Sequence, residues 1–417
     1  MGYSLGEILG NKGYIRGPFG SALKRSEMLD KGIPVYEQQN AIYNHREFRF
    51  YINHDKFEKM KRFTVQEGDI LISCSGTVGK TTLITENDPI GIISQALLIL
   101  RPDKKKTDSR FLKYFLDSKA GQEGLLARAH GSVQTNIAKR QDVETLIIPE
   151  LSLAHQKSIA NILSSLDDKI ELNNKINKNL EELAQTLYKR WFVDFEFPNE
   201  SGEQYKSSGG EMVESEFGLI PKGWRITPIG DICDTVLGGT PSRKIEEYWN
   251  GDINWINSGE INHFRIIKPS EFITKYGLNN SSTKMMPKKT TVIAITGATL
   301  GAVSLLEIDA CANQSVIGIL QNDQLAYTFI YPTIMNRISD IIGRQTGGAQ
   351  QHINKNDVNS FRIILPDGLT LKKYHSTTDA LYNEIANRVF QNDKLSQLRD
   401  ELLPKLMNGE IEVPIEE

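Results

Sequence analysis

The chain has 417 residues, 39% of them hydrophobic and 24% charged, which is ordinary for a folded globular protein and long enough for two or three domains with separate cores. No apolar run approaches the ~20 residues that span a bilayer, and the opening MGYSLGEILG lacks a basic then apolar leader, so an intracellular, cytoplasmic protein without an export signal is expected. The net charge of −3 speaks against a uniformly nucleic-acid-coating surface, but it is unevenly spread: +4 over residues 1–150, −5 over 151–221, +2 over 222–366 and −4 over 367–417.

In chain order, the first half opens with LGEI (Leu5 to Ile8) and the glycine turn GPFGS (Gly17 to Ser21). A β-branched run bounded by glycines, GDILISCSGTVG (Gly68 to Gly79), reads as a strand entering a tight turn, and SQALLIL (Ser94 to Leu100) reads as another strand. A helical stretch is expected near 108–127, then GSVQTNIAKRQDVETLIIP (Gly131 to Pro149), which ends in a strand.

From Ala154 to Trp191 there is neither proline nor glycine. Apolar residues fall at Ile159, Leu163, Leu166, Ile170, Leu180, Ala184, Leu187 and Trp191 in alternating steps of four and three, with Asn173 and Asn177 on the intermediate seam positions. That is a heptad pattern on a helix of about 37 residues, or ~55 Å, with seam asparagines that specify register and partner. WFVDFEFP (Trp191 to Pro198) reads as an aromatic cap where helix meets domain, and Asn199 to Gly210 reads as a flexible linker rich in Ser, Gly, Glu and Lys.

The second half repeats the first at an offset of roughly 216–224 residues. IGDI (Ile229 to Ile232) matches LGEI, LGGTPS (Leu237 to Ser242) falls opposite GPFGS, and TVIAITGATLG (Thr291 to Gly301) aligns with GDILISCSGTVG. NQSVIGIL (Asn313 to Leu320) aligns with SQALLIL, a helix is expected near 324–343, and GGAQQHINKNDVNSFRIILP (Gly347 to Pro366) lies over Gly131 to Pro149. A second long helix, about Leu369 to Met407, places Leu381, Ile385, Asn392, Leu395, Leu402 and Leu406 on one seam, weakened by Arg388 and Arg399. The expected architecture is α+β. Two duplicated globular domains of mixed β-sheet and helices, residues 1–150 and 221–366, are separated by two long antiparallel helices forming a coiled coil. The spacer helix covers 151–197, a linker 198–220, and the distal helix with its tail 367–417.

Catalytic motifs are scarce. Cys74, Cys233 and Cys311 form no CxxC pair and the seven histidines no HExxH, so no disulfide or metal site is expected. Cys74 to Thr81 nearly matches a phosphate-binding GxxxxGK[ST] loop, but cysteine replaces its first glycine and a strand-like segment, not a helix, follows Thr81. The repeat copy, Gly297 to Val303, keeps the glycines and has alanine in place of Lys80. A turn between two strands explains both copies.

DTVLGGTPSRKIEEYWNGDINWINSGEIN (Asp234 to Asn262) and GPFGSALKRSEMLDKGIPVY (Gly17 to Tyr36) resemble target-recognition segments of the specificity (S) subunits of type I restriction-modification enzymes. His155 to Phe195 and Lys394 to Ile411 are similar to the central and distal helices of that family. The resemblance spans essentially the whole chain, although the first half lacks the PKGW lead-in (Pro221 to Trp224) of the second.

It implies a non-catalytic DNA-recognition subunit. Its partners would be double-stranded DNA, two modification (methyltransferase) subunits and two restriction (translocase-nuclease) subunits, with S-adenosylmethionine, ATP and Mg on those partners. Neither FxGxG nor NPP followed by Phe or Tyr occurs, in keeping with that reading. A protein-binding coiled-coil adaptor is the alternative.

If the heads read DNA, short hydroxyls in glycine-rich turns suit phosphates: Ser21, Ser75, Thr77, Thr240, Ser242 and Thr299. Lys80, Arg243, Lys244 and Arg344 suit phosphate or guanine, and Gln134, Thr135, Asn136, Gln350, Gln351 and His352 suit adenine edges. The dissimilar stretches 41–66 and 263–290 are further places for base reading.

Overall fold

The structure is a computed structural model that describes residues 2–19, 22–130, 136–137, 139–343 and 352–414. It divides into two compact units, Met1–Ile170 with Lys394–Glu417, and Glu171–Asp393.

In the first unit a four-stranded antiparallel sheet runs in the order Leu9–Arg16, Leu97–Pro102, Ile70–Ser73, Thr81–Leu83. Its central strands are apolar and buried over residues 70–72 and 97–100 because both faces are covered. Ile70, Ile72, Leu98 and Leu100 enter one core with the helices Ser109–Asp117 and Lys119–Ala127, while Leu71, Leu97 and Ile99 enter a second core. Side-chain alternation along a strand sorts neighbouring residues into opposite layers in this way. A three-stranded sheet lines the second core in the order Tyr51–Ile52, Ile33–Tyr36, Ile92–Ile93, the last pair parallel. Gly2–Ser4 closes the unit against Ile147–Pro149.

The second unit repeats this plan, with one strand added to its second sheet. Its four-stranded sheet is Thr235–Leu237, Val316–Ile319, Thr291–Ala294, Val303–Leu305. A second sheet runs Glu271–Ile273, Trp249–Ile256, Ala310–Ala312, Met285–Met286, again with the one parallel pair between its second and third strands. Arg225–Pro228 pairs with Arg362–Leu365, the counterpart of the closing pair in the first unit. The alternation is also kept: Ile293, Ile317 and Ile319 face one core, Val292, Ala294 and Val316 the other.

Two helices, Leu153–Tyr188 and Gly368–Met407, have 36 and 40 residues, or ~54 and ~60 Å at ~1.5 Å per residue. The first ends in a π-helical turn, Lys189–Val193, inside the aromatic cluster of Tyr188, Trp191, Phe192 and Trp224. Within the first unit the helices run antiparallel, with Ile159, Ala160 and Leu163 sharing a core with Leu403, Leu406 and Met407, and Arg399 Nη1 2.7 Å from Asp167 Oδ1. Within the second unit Asn173 Nδ2 donates to Gln391 Oε1 and Asn392 Oδ1, both at 2.8 Å, and Arg388 Nη1 donates to Asn173 Oδ1 at 2.9 Å.

Of the heptad positions, Ile159, Leu163, Asn173, Asn177, Ala184, Trp191, Ile385 and Leu406 are buried. Leu166, Ile170, Leu180, Leu187, Leu381, Leu395 and Leu402 are half-buried. On the second helix the buried stripe passes through Tyr374, Thr378 and Tyr382, and later Leu403, one position beyond Leu381 and Leu402. A helix of 3.6 residues per turn drifts against a strict seven-residue repeat, and packing onto a domain follows the true period.

The expected linker is not a loose tether. Asn199 Oδ1 accepts from the amides of Ser201 and Glu203, Phe197 and Tyr205 rings stack at 4.6 Å, and Met212–Ser215 forms a hairpin with Gly218–Pro221. The aromatic residues on either side pull a polar, glycine-containing stretch into ordered turns.

Candidate nucleic-acid interface

The glycine-rich segments come first, because both units fold them alike. Gly17 and Gly238 donate to Leu97 O and Val316 O, both at 2.9 Å. A Cβ on either would lie 2.0 Å from a backbone carbonyl oxygen, Ser94 O or Asn313 O, so only glycine fits. These repeated glycines therefore serve close strand packing.

The near-phosphate-loop is a hairpin turn. Ser73 N donates to Lys80 O at 2.8 Å and Gly79 N to Ser73 O at 2.9 Å, closing Ile70–Ser73 onto Thr81–Leu83, with Gly76 and Gly79 at φ +67° and +86°. The copy in the second unit closes Thr291–Ala294 onto Val303–Leu305 with Gly297 and Gly301 at +71° and +84°. A phosphate cradle needs a helix to begin where these turns enter a strand.

The turns leave Thr77 and Lys80 exposed, Ser75 half-buried, and Thr299 half-buried with its hydroxyl donating to Thr296 O at 3.4 Å. Burial pushes the Cys74 and Cys233 thiols up to about 12 and the Cys311 thiol up to about 11, which keeps all three protonated and unreactive at neutral pH. Among the described residues no cluster of three His, Cys, Asp or Glu could hold a metal.

Beyond the second glycine turn, Thr240 Oγ1 donates to Gln314 Oε1 at 2.5 Å, and exposed Ser242 accepts the Trp249 indole N–H on its carbonyl at 3.2 Å. Lys244 is exposed. Arg243 is engaged by its own chain: its guanidinium forks onto Glu271, with Nη2 to Oε1 at 2.7 Å, and its Cζ lies 3.6 Å from the Trp249 ring centroid. The hydrogen bond from Arg243 holds the Glu271 carboxyl below its ordinary range. His352 is exposed, and Asn136 lies in Asn136–Ile137, paired with Ala129–His130. Ser21, Gln134, Thr135, Arg344, Gln350 and Gln351 lie outside the described residues.

The structure also singles out a loop that residue type alone did not. In the first unit the helical turn Gln38–Ile42 follows the strand Ile33–Tyr36, packs on the hairpin, and leads into Tyr43 and Asn44. In the second the turn Glu260–Asn262 follows Trp249–Ile256, packs on the corresponding hairpin, and leads into His263 and Phe264. Both turns open on a backbone amide donating to the side chain three residues on, Glu37 N to Asn40 Oδ1 at 2.7 Å and Asn257 N to Glu260 Oε2 at 2.6 Å. Hairpin hydroxyls at corresponding positions hold both loops, Thr82 Oγ1 to Asn44 Oδ1 at 2.5 Å and Ser304 Oγ to His263 O at 2.8 Å. The signal available in the sequence was that these loops open the dissimilar stretches of otherwise matching halves.

Among the described residues no helix is long and apolar enough to cross a membrane. The model for the type I restriction modification DNA specificity domain matches twice, over residues 19–182 and 221–390. The chain is 24% identical to the type I restriction enzyme HindI specificity subunit of Haemophilus influenzae, over 83% of this chain and 87% of that protein. It is 28% identical to the MjaIX specificity subunit of Methanocaldococcus jannaschii, over 84% and 81%. A crystal structure of a type I restriction-modification system S subunit from M. genitalium shares the fold, with a TM-score of 0.60 at 18% identity over 97% of this chain and 95% of that one. With two domain matches that together cover most of its length, in the two halves whose strands repeat one another, this chain belongs to the family of type I restriction-modification DNA specificity subunits.

Proposed function

We propose that the chain reads DNA without catalysis of its own, each half recognising one part of a bipartite, asymmetric target. The two long helices set the gap between the parts and dock two modification (methyltransferase) subunits. Two restriction (translocase-nuclease) subunits join for cleavage, and S-adenosylmethionine, ATP and Mg act on those partners.

The observation that carries this reading is the repeat of one two-sheet fold, with the same four-stranded order and the same parallel pair, and with different residues on each copy. Two related folds joined by antiparallel helices suit the local two-fold symmetry of a duplex backbone, while unlike side chains require unlike half-sites. Helices of ~54 and ~60 Å exceed the ~34 Å of one duplex turn, the spacing at which two readers meet the same side of DNA. The buried, protonated cysteines offer no thiol nucleophile.

The test is a head exchange. Residues 1–150 are replaced by the matching head of a relative, and methylated adenines are mapped in cells that also carry the modification partner. One half of the target should change and the other persist; a change in both halves would contradict modular reading. Salt-dependent retention on duplex DNA separates this reading from the protein-binding adaptor, which should show none.

A further inference from the structure

Tyr43 is 73% exposed and lies parallel to the His45 ring, with centroids 6.2 Å apart and planes 6° from coplanar. Phe264 is 43% exposed and is backed by the Arg265 guanidinium, whose Cζ lies 4.2 Å from the ring centroid. Building on the assignment of the two heads as DNA readers, we propose that Tyr43 and Phe264 are duplex-DNA contact residues, one aromatic wedge per head, each pressing on a base step of its own half-site.

A single exposed aromatic side chain needs no explanation. Two in the same loop of both halves do, because the loops otherwise differ in sequence and neither ring belongs to a core cluster. Each ring is also pre-positioned. A planar side chain lies beside it and a hydrogen bond from the hairpin hydroxyl to the adjacent residue, Asn44 or His263, restrains its loop, so less loop freedom is lost on binding.

Charge is not what these loops offer. The nearest arginines are neutralised from within: Arg46 by Asp88 at 2.5 Å and Arg265 by Glu181 at 2.7 Å. An apolar ring without free charge suits a base step, which accepts inserted or stacked side chains, better than it suits a phosphate. Tyrosine in one head and phenylalanine in the other also agrees with two different half-sites.

The experiment uses the full chain assembled with its modification subunits and a duplex carrying its target, titrated at several salt concentrations. Tyr43→Ala and Phe264→Ala should each weaken specific binding by about fivefold to a hundredfold with the salt slope unchanged, whereas Tyr43→Phe should stay within about twofold. Both alanine variants binding within about twofold of the parent would overturn the inference. So would a loss that tracks release of the modification subunits, since the rings would then face protein. A parent assembly that ignores duplex DNA would instead remove the underlying DNA-reading assignment. Both side chains are exposed, so unchanged melting curves should accompany the binding loss.

Discussion

Arg46 and Arg265 stand just behind the two exposed loops, and they are anchored to different things. In the first unit Arg46 Nε meets Asp88 Oδ1 at 2.5 Å and Nη2 donates to Leu83 O at 2.9 Å, so the loop is tied to its own hairpin. The Arg46 side chain remains 25% exposed. In the second unit Arg265 is fully buried; Nη2 meets Glu181 Oε2 of the first long helix at 2.7 Å, and Nη1 donates to Tyr331 Oη at 3.2 Å. Its Nε faces Glu307 Oε1 at 3.8 Å, beyond hydrogen-bond reach, while Glu307 Oε2 takes Lys289 Nζ at 2.7 Å. One fold thus supports two kinds of anchor. A partly buried pair at the edge of solvent holds the first loop locally, and a fully buried charge cluster ties the second loop to the first long helix, where the cost of separating partners is greater.

The largest expected effect tests that contrast. Glu181→Ala strips the closest counter-charge from a buried guanidinium and should cost about 3–5 kcal/mol, against about 1–3 kcal/mol for Asp88→Ala. All four tryptophans, Trp191, Trp224, Trp249 and Trp255, fall in the second unit, so tryptophan-monitored melting reports that unit. The Glu181 variant should lower this transition strongly and the Asp88 variant should leave it in place. Equal shifts would erase the distinction.

Acid titration sharpens it next, because the two carboxylates move oppositely. Burial acts to raise the Asp88 carboxyl, but Arg46 and the Thr85 amide outweigh it and hold it below 3.8. Its stabilising contribution is therefore present above pH 3.8 and is lost as pH falls through the lower folded value. Burial raises Glu307 above 4.5 against the pull of Lys289 and Arg265. The folded state then holds that proton more tightly, so this group's contribution falls as pH rises from 4.5 through the folded value. In Glu307→Gln the tryptophan transition should lose part of its pH dependence just above 4.5, whereas Asp88→Asn should alter only the acid limb of the first unit, followed by circular dichroism. No change in either profile would deny both assignments.

The smallest effects concern the same issue, partnered against unpartnered polar groups, on the helix seam. Asn173 is fully buried and satisfied by Gln391, Asn392 and Arg388, so Asn173→Leu should destabilise by about 1–3 kcal/mol. Asn177 Oδ1 is buried without a hydrogen-bond partner, and Asn177→Leu should be neutral or stabilising by up to about 1 kcal/mol. Denaturant midpoints of the two variants should therefore move in opposite directions or differ clearly in size.

Much of the architecture was legible because it rests on local periodicity. The heptad steps from Ile159 onward and the absence of glycine and proline announced a helix that the structure bounds at Leu153–Tyr188. The matched runs at Ile70 and Val292 announced strands that alternate between two cores in both units. The candidate interface was less legible. Arg243 reads as a free cation, yet its carboxylate partner lies 28 residues on, in the strand Glu271–Ile273. Composition made 199–210 a tether, yet Tyr205 finds Phe197.

What the amino-acid order determined by itself was the two long helices, the matched strands and the repeat, since backbone sterics and apolar spacing act over a few residues. What only the tertiary structure decided was which charges are spent on the protein's own partners and which side chains remain for a ligand. Arg265 and Glu181 are 84 residues apart and carry no shared local signature. Their pairing exists only because loop and helix bring them into the same dry space, where a charge must find its opposite.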